Sequence, residues 1–148
     1  MNRSIMYQGS RTQLINQLVY FDEEKFNFLN QYFPEHNVKR STVEQVLAVY
    51  ATTLEKIVAD LTEENLNSVA LIGSQLELRY LDDDSPESYT IVFPHLADPN
   101  NNKISFLSPL GFQLLMAKSQ ETYRLDVPSG EIRLRVEGIK FVNSGDVN

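Results

Sequence analysis

Few residues in this chain could do acid–base or metal chemistry. Asp82-Asp83-Asp84 offers three consecutive carboxylates, and carboxylate oxygens are hard donors for divalent cations. Neighbouring side chains of an extended segment point to opposite sides, so three in a row rarely converge. Ser85 and Pro86 mark the run as a solvated turn. Histidine is the usual acid–base side chain at neutral pH, but neither His36 nor His95 stands in a visible arrangement with a Ser or carboxylate partner, and both read as loop residues. Cys is absent, which excludes a disulfide scaffold, a Cys-ligated zinc and a Cys nucleophile. No Gly-rich phosphate loop is present. Tyr20, Phe21, Phe26, Phe28, Tyr32 and Phe33 crowd one stretch. A nucleic-acid platform would interleave Arg and Lys among them, and only Lys25 is there. Packing between helices is the stronger reading. The aromatic face is wider than one helical seam buries, which leaves part of it for dimerisation or a partner.

The balance of 13 Lys+Arg against 20 Asp+Glu, a formal charge of −7 over 148 residues, argues against broad capture of DNA or RNA. It leaves a basic protein partner open. The deficit is no tail: by count, residues 1–66 hold six basic and nine acidic residues, and 67–148 hold seven and eleven. A 42% hydrophobic content fits a globular chain. Met1–Gln8 has no apolar stretch of signal-peptide length, and nothing approaches a bilayer span, so a soluble cytoplasmic protein is expected.

These residues must be held by two differently patterned halves. Residues 1–66 contain one Gly and one Pro; residues 67–148 contain five of each, a density that marks turns and strands. In the first half Leu14, Leu18, Phe21, Phe28 and Tyr32 recur at helical spacing from a capping box at Ser10–Gln13. Asp22-Glu23-Glu24 leaves open whether this run is one helix or two. Pro34 ends it. A second capping box, Ser41–Glu44, precedes Leu47, Tyr50, Leu54, Ile57 and Leu61, an a/d seam. The short Pro34–Arg40 connection predicts an antiparallel hairpin whose tip carries Glu35, His36, Asn37, Val38, Lys39 and Arg40.

The second half alternates. Leu76, Leu78 and Tyr80 face one way and Gln75, Glu77 and Arg79 the other. Ser88–Phe93 returns after the Asp turn, Ile104–Phe106 is a short extended piece, and Ser108-Pro109 opens a helix running to about Lys118. Thr122–Val127 and Glu131–Val142 form a hairpin about Pro128-Ser129-Gly130, with a bulge or phase change at Gly138. The design is α+β: a helical hairpin (coiled coil), residues 1–66, then an antiparallel sheet domain with one short helix, residues 67–148.

Several runs of this second half resemble a known family. Gly73–Leu78, Tyr89-Thr90-Ile91-Val92, Ile104-Ser105-Phe106-Leu107-Ser108-Pro109-Leu110-Gly111 and Val127–Glu131, over about residues 69–142, look like the C-terminal domain of the GreA/GreB transcription elongation factors. Within that family the chain is similar to the smaller Rnk-like members (regulator of nucleoside diphosphate kinase type). The resemblance implies an FKBP-like fold and bacterial RNA polymerase as partner. It implies docking on the rim of the secondary channel through Ile104, Ser105, Ser108, Pro109, Leu110 and Gly111, with the hairpin entering the channel. In the family's cleavage factors, acidic tip residues help hold a catalytic metal ion. Their tip pattern is an Asp, a Glu a few residues on, then Asn, another acid and a Tyr. Here the tip has one carboxylate, Glu35, beside Lys39 and Arg40. No transcript cleavage is therefore expected, with no catalytic residue and no metal at the tip; no cofactor, membrane contact or sequence-specific nucleic-acid binding is expected either. Oligomeric state and the sign of the effect on transcription stay open. Two further departures stand out: the family's Gly after the paired leucines is Met116, and its Gly-Asp before the next strand is Ser119-Gln120-Glu121.

Three functions follow in descending order. The first is a non-catalytic, Gre-like polymerase-binding regulator. The second is a cleavage factor with an atypical acidic set, Glu35 with Asp22–Glu24 or Glu44. The third, resting only on the FKBP-like expectation, is a peptidyl-prolyl isomerase.

Overall fold

A computed structural model describes residues 8–147; all but the last residue of the Met1–Gln8 segment lies outside them. Two compact units result, one running to Leu61 and the other Thr62–Asp146.

The first unit is helical. Helices α1 (Gln8–Glu23) and α2 (Lys25–Tyr32) follow each other with a kink at Glu24, and α3 (Val38–Ala59) returns beside them. Glu24 closes one helix and opens the next: its N–H donates to Tyr20 O at 2.7 Å, and its carbonyl accepts from Phe28 N–H at 2.9 Å. Leu14, Phe21, Phe28 and Leu29 on one arm bury against Val43, Leu47, Tyr50, Leu54 and Ile57 on the other. Rings of Phe21, Phe28 and Tyr50 meet edge to face, the geometry their quadrupoles favour. One polar pair sits in this core, the Tyr50 hydroxyl and Gln17 Oε1 at 2.7 Å. Both proposed capping boxes are displaced. Ser10 is buried inside α1. The cap of α3 is Asn37, whose Oδ1 accepts from Arg40 N–H at 3.1 Å, so the helix begins before Ser41.

The second unit opens with a single turn of helix, α4 (Glu63–Leu66), capped by Thr62. Strands β1 (Ser74–Tyr80), β2 (Ser85–Val92), β3 (Lys103–Ser105), β4 (Thr122–Val127) and β5 (Gly130–Phe141) form one sheet in the order β3-β2-β1-β5-β4. The one remaining helix is α5 (Pro109–Leu114). The FKBP-like antiparallel sheet expected from the resemblance is overturned. The sheet is mixed, because β3 runs parallel to β2. Parallel neighbours need a crossover, and the segment between Val92 and Lys103, with 3-10 turns at Pro94–Leu96 and Pro99–Asn101, supplies it.

Alternation holds where expected. Leu76, Leu78, Leu134 and Val136 point into the core, while Arg133 and Arg135 are exposed. The register of β1 on β5 shifts between Glu77 and Leu78, leaving Glu137 as the extra residue of a bulge beside Gly138. Helix α5 is shorter than its apolar pattern predicts. Met116 N–H donates to Ala70 O at 2.7 Å and Ala70 N–H to Ala117 O at 2.8 Å, so the chain must leave the helix to pair with the strand-like segment before β1. Met116 takes φ 68° to do so. This is the position of the family's glycine, and a left-handed conformation costs an ordinary residue about 1 kcal/mol. Gly73 (φ 110°) is required for space as well: a β-carbon there would press on Phe141 and the Gly145 backbone. Among the described residues, no helix is long and apolar enough to cross a membrane.

Candidate functional site

The structure gathers the sequence-selected residues into two places, one in each unit. The first is the turn between α2 and α3. Arg40 is not a free tip cation. It is 5% exposed, and its Nη1 donates to Asn30 Oδ1 and to Phe33 O, both at 3.0 Å. Phe33 is the C-cap of α2, so the guanidinium meets a carbonyl at the negative end of that helix. With Asn37 capping α3, Arg40 clasps the end of one arm to the start of the next. Lys39 lies over the Phe33 ring, 5.7 Å from its centre. Pro34, Glu35, His36, Val38 and Lys39 remain outward. Asn30, absent from the tip set chosen by sequence, is the missed member. It is ten residues from Arg40, and no local spacing pairs them.

Two of the four acids proposed to help Glu35 are engaged elsewhere. Glu24 Oε2 accepts from Asn27 at 2.7 Å, and Glu44 pairs with Lys25 at 3.5 Å. Among the described residues no group of three or more His, Asp or Glu is placed to hold a metal ion. The Asp82-Asp83-Asp84 run is a bonded turn. Asp82 pairs with Arg133 at 2.9 Å, and Asp84, at φ 58°, with Arg79 at 3.3 Å. Asp83 accepts the Ser85 hydroxyl at 2.7 Å and the Ser85 N–H at 3.2 Å. These bonds favour the charged form and hold the Asp83 carboxyl below its ordinary pKa.

The second place is the strand–turn–helix of β3 and α5. Ile104 and Ser105 close the strand, buried Phe106 meets Phe93 edge to face at 5.5 Å, and Ser108 caps the helix. Its polar side chains are occupied internally. Ser105 Oγ accepts from Leu107 N–H at 2.9 Å; Ser108 Oγ donates to Ser105 O at 2.7 Å and accepts from Gly111 N–H at 3.0 Å. Gly111 is dictated by contact, since a β-carbon would collide with Ser105 O. Pro109 is exposed, and Ile104, Leu107 and Leu110 are half-buried. A partner would meet an apolar knuckle whose shape is set by serine bonds. Beside it, the Gln113 amide donates to Asp126 O at 2.7 Å and accepts from Asp126 N–H at 3.0 Å, lying along β4 like a short strand.

Residues 65–141 match the family model described as "Transcription elongation factor, GreA/GreB, C-term". Among curated relatives, the transcription elongation factor GreA of Thermosipho africanus is 37% identical over 83 residues, covering 56% of this chain and 53% of the relative. GreA of Clostridioides difficile is 30% identical over 112 residues, covering 75% and 70%. The chain spans about half the length of several such relatives. Among solved structures, the prokaryotic transcription elongation factor GreA/GreB from Nitrosomonas europaea superposes with a TM-score of 0.51 at 19% identity, covering 80% of this chain and 91% of that one. The backbone likeness is thus to a Gre factor, consistent with the mixed sheet.

Proposed function

This chain belongs to the GreA/GreB transcription elongation factor family, and from that premise we propose that it binds bacterial RNA polymerase and regulates transcription without cleaving RNA. The observation that carries the reading is the family match over residues 65–141, which contains the Ser105–Gly111 knuckle. In this reading residues 67–148 are the docking domain, with Ile104, Ser105, Ser108, Pro109, Leu110 and Gly111 at the contact, and residues 1–66 are the arm that enters or blocks the secondary channel. Pro109 and Leu110 supply apolar contact area, while the two serines and Gly111 hold its shape.

Glu35, His36, Asn37, Lys39 and Arg40 form the advancing end. One outward carboxylate beside a lysine is a poor donor set for Mg²⁺, which is held by carboxylates together with substrate phosphates. The reading places the chain with the smaller, Rnk-like members and in the cytoplasm. Pull-down with bacterial RNA polymerase tests docking. Retention of the wild-type chain, weakened at least tenfold by Leu110→Asp, is expected; no retention at micromolar protein refutes it.

A second reading is favoured by the relatives' name, transcription elongation factor GreA: a cleavage factor using Glu35 with a nearby acid. A backtracked-complex assay separates the two. RNA cleavage that is lost in Glu35→Ala would select the second.

A further inference from the structure

One face of the helical unit is unfinished. Between α1 and α3 lies an open groove of about 440 Å³ lined by Leu18, Val19, Phe21, Ala48 and Ala51, with Asp22, Lys25 and Glu55 at its margin. Ile15 and Val19 stand beside it 39% and 46% exposed. The groove has a large side and a small side. Helix α1 presents Ile15, Leu18 and Val19, and α3 presents Ala48 and Ala51 three residues apart, hence on one face. Its charges are sorted in the same way. The α1 side carries Arg11 near one end and Asp22 near the other, with Lys25 just beyond it at the start of α2. The α3 side carries Glu44 and Glu55.

Two contacts fix how the helices are levelled. Lys25 meets Glu44 at 3.5 Å at the tip end, and Arg11 Nη1 donates to Val58 O at 3.3 Å at the far end. A two-fold axis running along the hairpin would therefore bring α1 of one copy over α3 of the other at equal level. Leu18 would then face Ala51, Lys25 would face Glu44, and Arg11 would lie within about one helical turn, ~5 Å, of Glu55. Leu18 meets an alanine, and Lys25 and Arg11 meet carboxylates, twice over; Asp22 comes within the same one turn of Glu44, where Lys25 at equal level offsets it. Self-complementarity of this kind is what an isologous contact requires.

We propose that this groove is filled by a second copy of the chain, giving a parallel four-helix dimer through the α1/α3 face. The same face is then hidden from any other partner, so dimerisation would compete with whatever the arm enters.

Sedimentation equilibrium of the full chain tests this, at concentrations up to roughly 100 µM because a face this small supports only modest affinity. The wild type is expected to reach twice the monomer mass, and Ala51→Arg to remain monomeric with unchanged helical circular dichroism. The decisive pair is Arg11→Glu and Glu55→Arg. Each alone places like charges opposite each other twice, and each is expected to dimerise at least tenfold more weakly than wild type. An equimolar mixture of the two variants restores opposite charges at both places and should recover the dimer, which no effect within one chain can do. A wild type that stays monomeric throughout overturns the proposal and leaves the groove to a different partner. A dimer indifferent to Ala51→Arg, or a mixture no tighter than its components, overturns it as well.

Discussion

The hairpin turn and the β3–α5 knuckle are both polar, turn-rich segments in the sequence, and the fold treats them in opposite ways. At the knuckle the polar groups turn inward: Ser105 and Ser108 are bound to backbone, and the outer surface is left to Pro109, Leu110 and Ile104. At the hairpin turn one cation goes inside, Arg40, and the remaining charges stay out. What a partner can read is the set of groups that internal bonding leaves over. That set is apolar at the knuckle, and at the turn it includes the charges of Glu35 and Lys39.

The contrast can be broken first at the knuckle. Gly111→Ala drives a methyl group into the Ser105 carbonyl, a backbone atom that cannot step aside. A loss of about 3 kcal/mol is expected in urea unfolding followed by a sheet-unit probe, near the top of the range for overpacking. Arg40→Ala should rank next, at about 2 kcal/mol, because it strips Asn30 and the Phe33 carbonyl of their donor at a part-buried site. Arg40→Lys should fail to restore it, since one ammonium on a flexible stem lacks the planar fork. Its readout is thermal unfolding followed by helical circular dichroism.

Met116→Gly should move stability the other way, by less than about 1 kcal/mol, as relief of the left-handed backbone outweighs lost side-chain burial. The smallest effect belongs to Glu35→Gln, within about 0.5 kcal/mol of wild type, as for exposed positions generally. If Glu35→Gln proved as costly as Arg40→Ala, the division between clasping and outward tip residues would be wrong.

Periodicity made the main elements legible. Leu47, Tyr50, Leu54 and Ile57 are buried as their spacing demands, and Leu76 and Leu78 alternate into the sheet core. Contiguous runs also exposed the knuckle, because a Ser cap, a Pro at the first helical position and a close-contact Gly are all local signals. What escaped was non-local. The Ser41–Glu44 box satisfies the capping pattern, yet Asn37 takes the cap because Arg40 must reach back to α2. The parallel placing of β3 depends on how the Phe93–Asn102 crossover folds, which no periodicity records. The end of α5 depends on pairing with Ala70, more than forty residues earlier in the chain.

The strand order has a consequence for the chain as it is synthesised. The helical arms need only residues up to Ala59 to pack their seam. The sheet is built outward from β1, whose neighbour on one side is β5, the last of the five in chain order. Until Phe141 has been added, β1 and β2 stand with one edge open, and β4 lacks the partner that joins it to them. The first unit can therefore fold while the second is still being translated, and the second closes late. Long-range pairing of this kind is slow. A nascent chain stalled before β5 would carry a finished arm and an unpaired, sticky sheet edge.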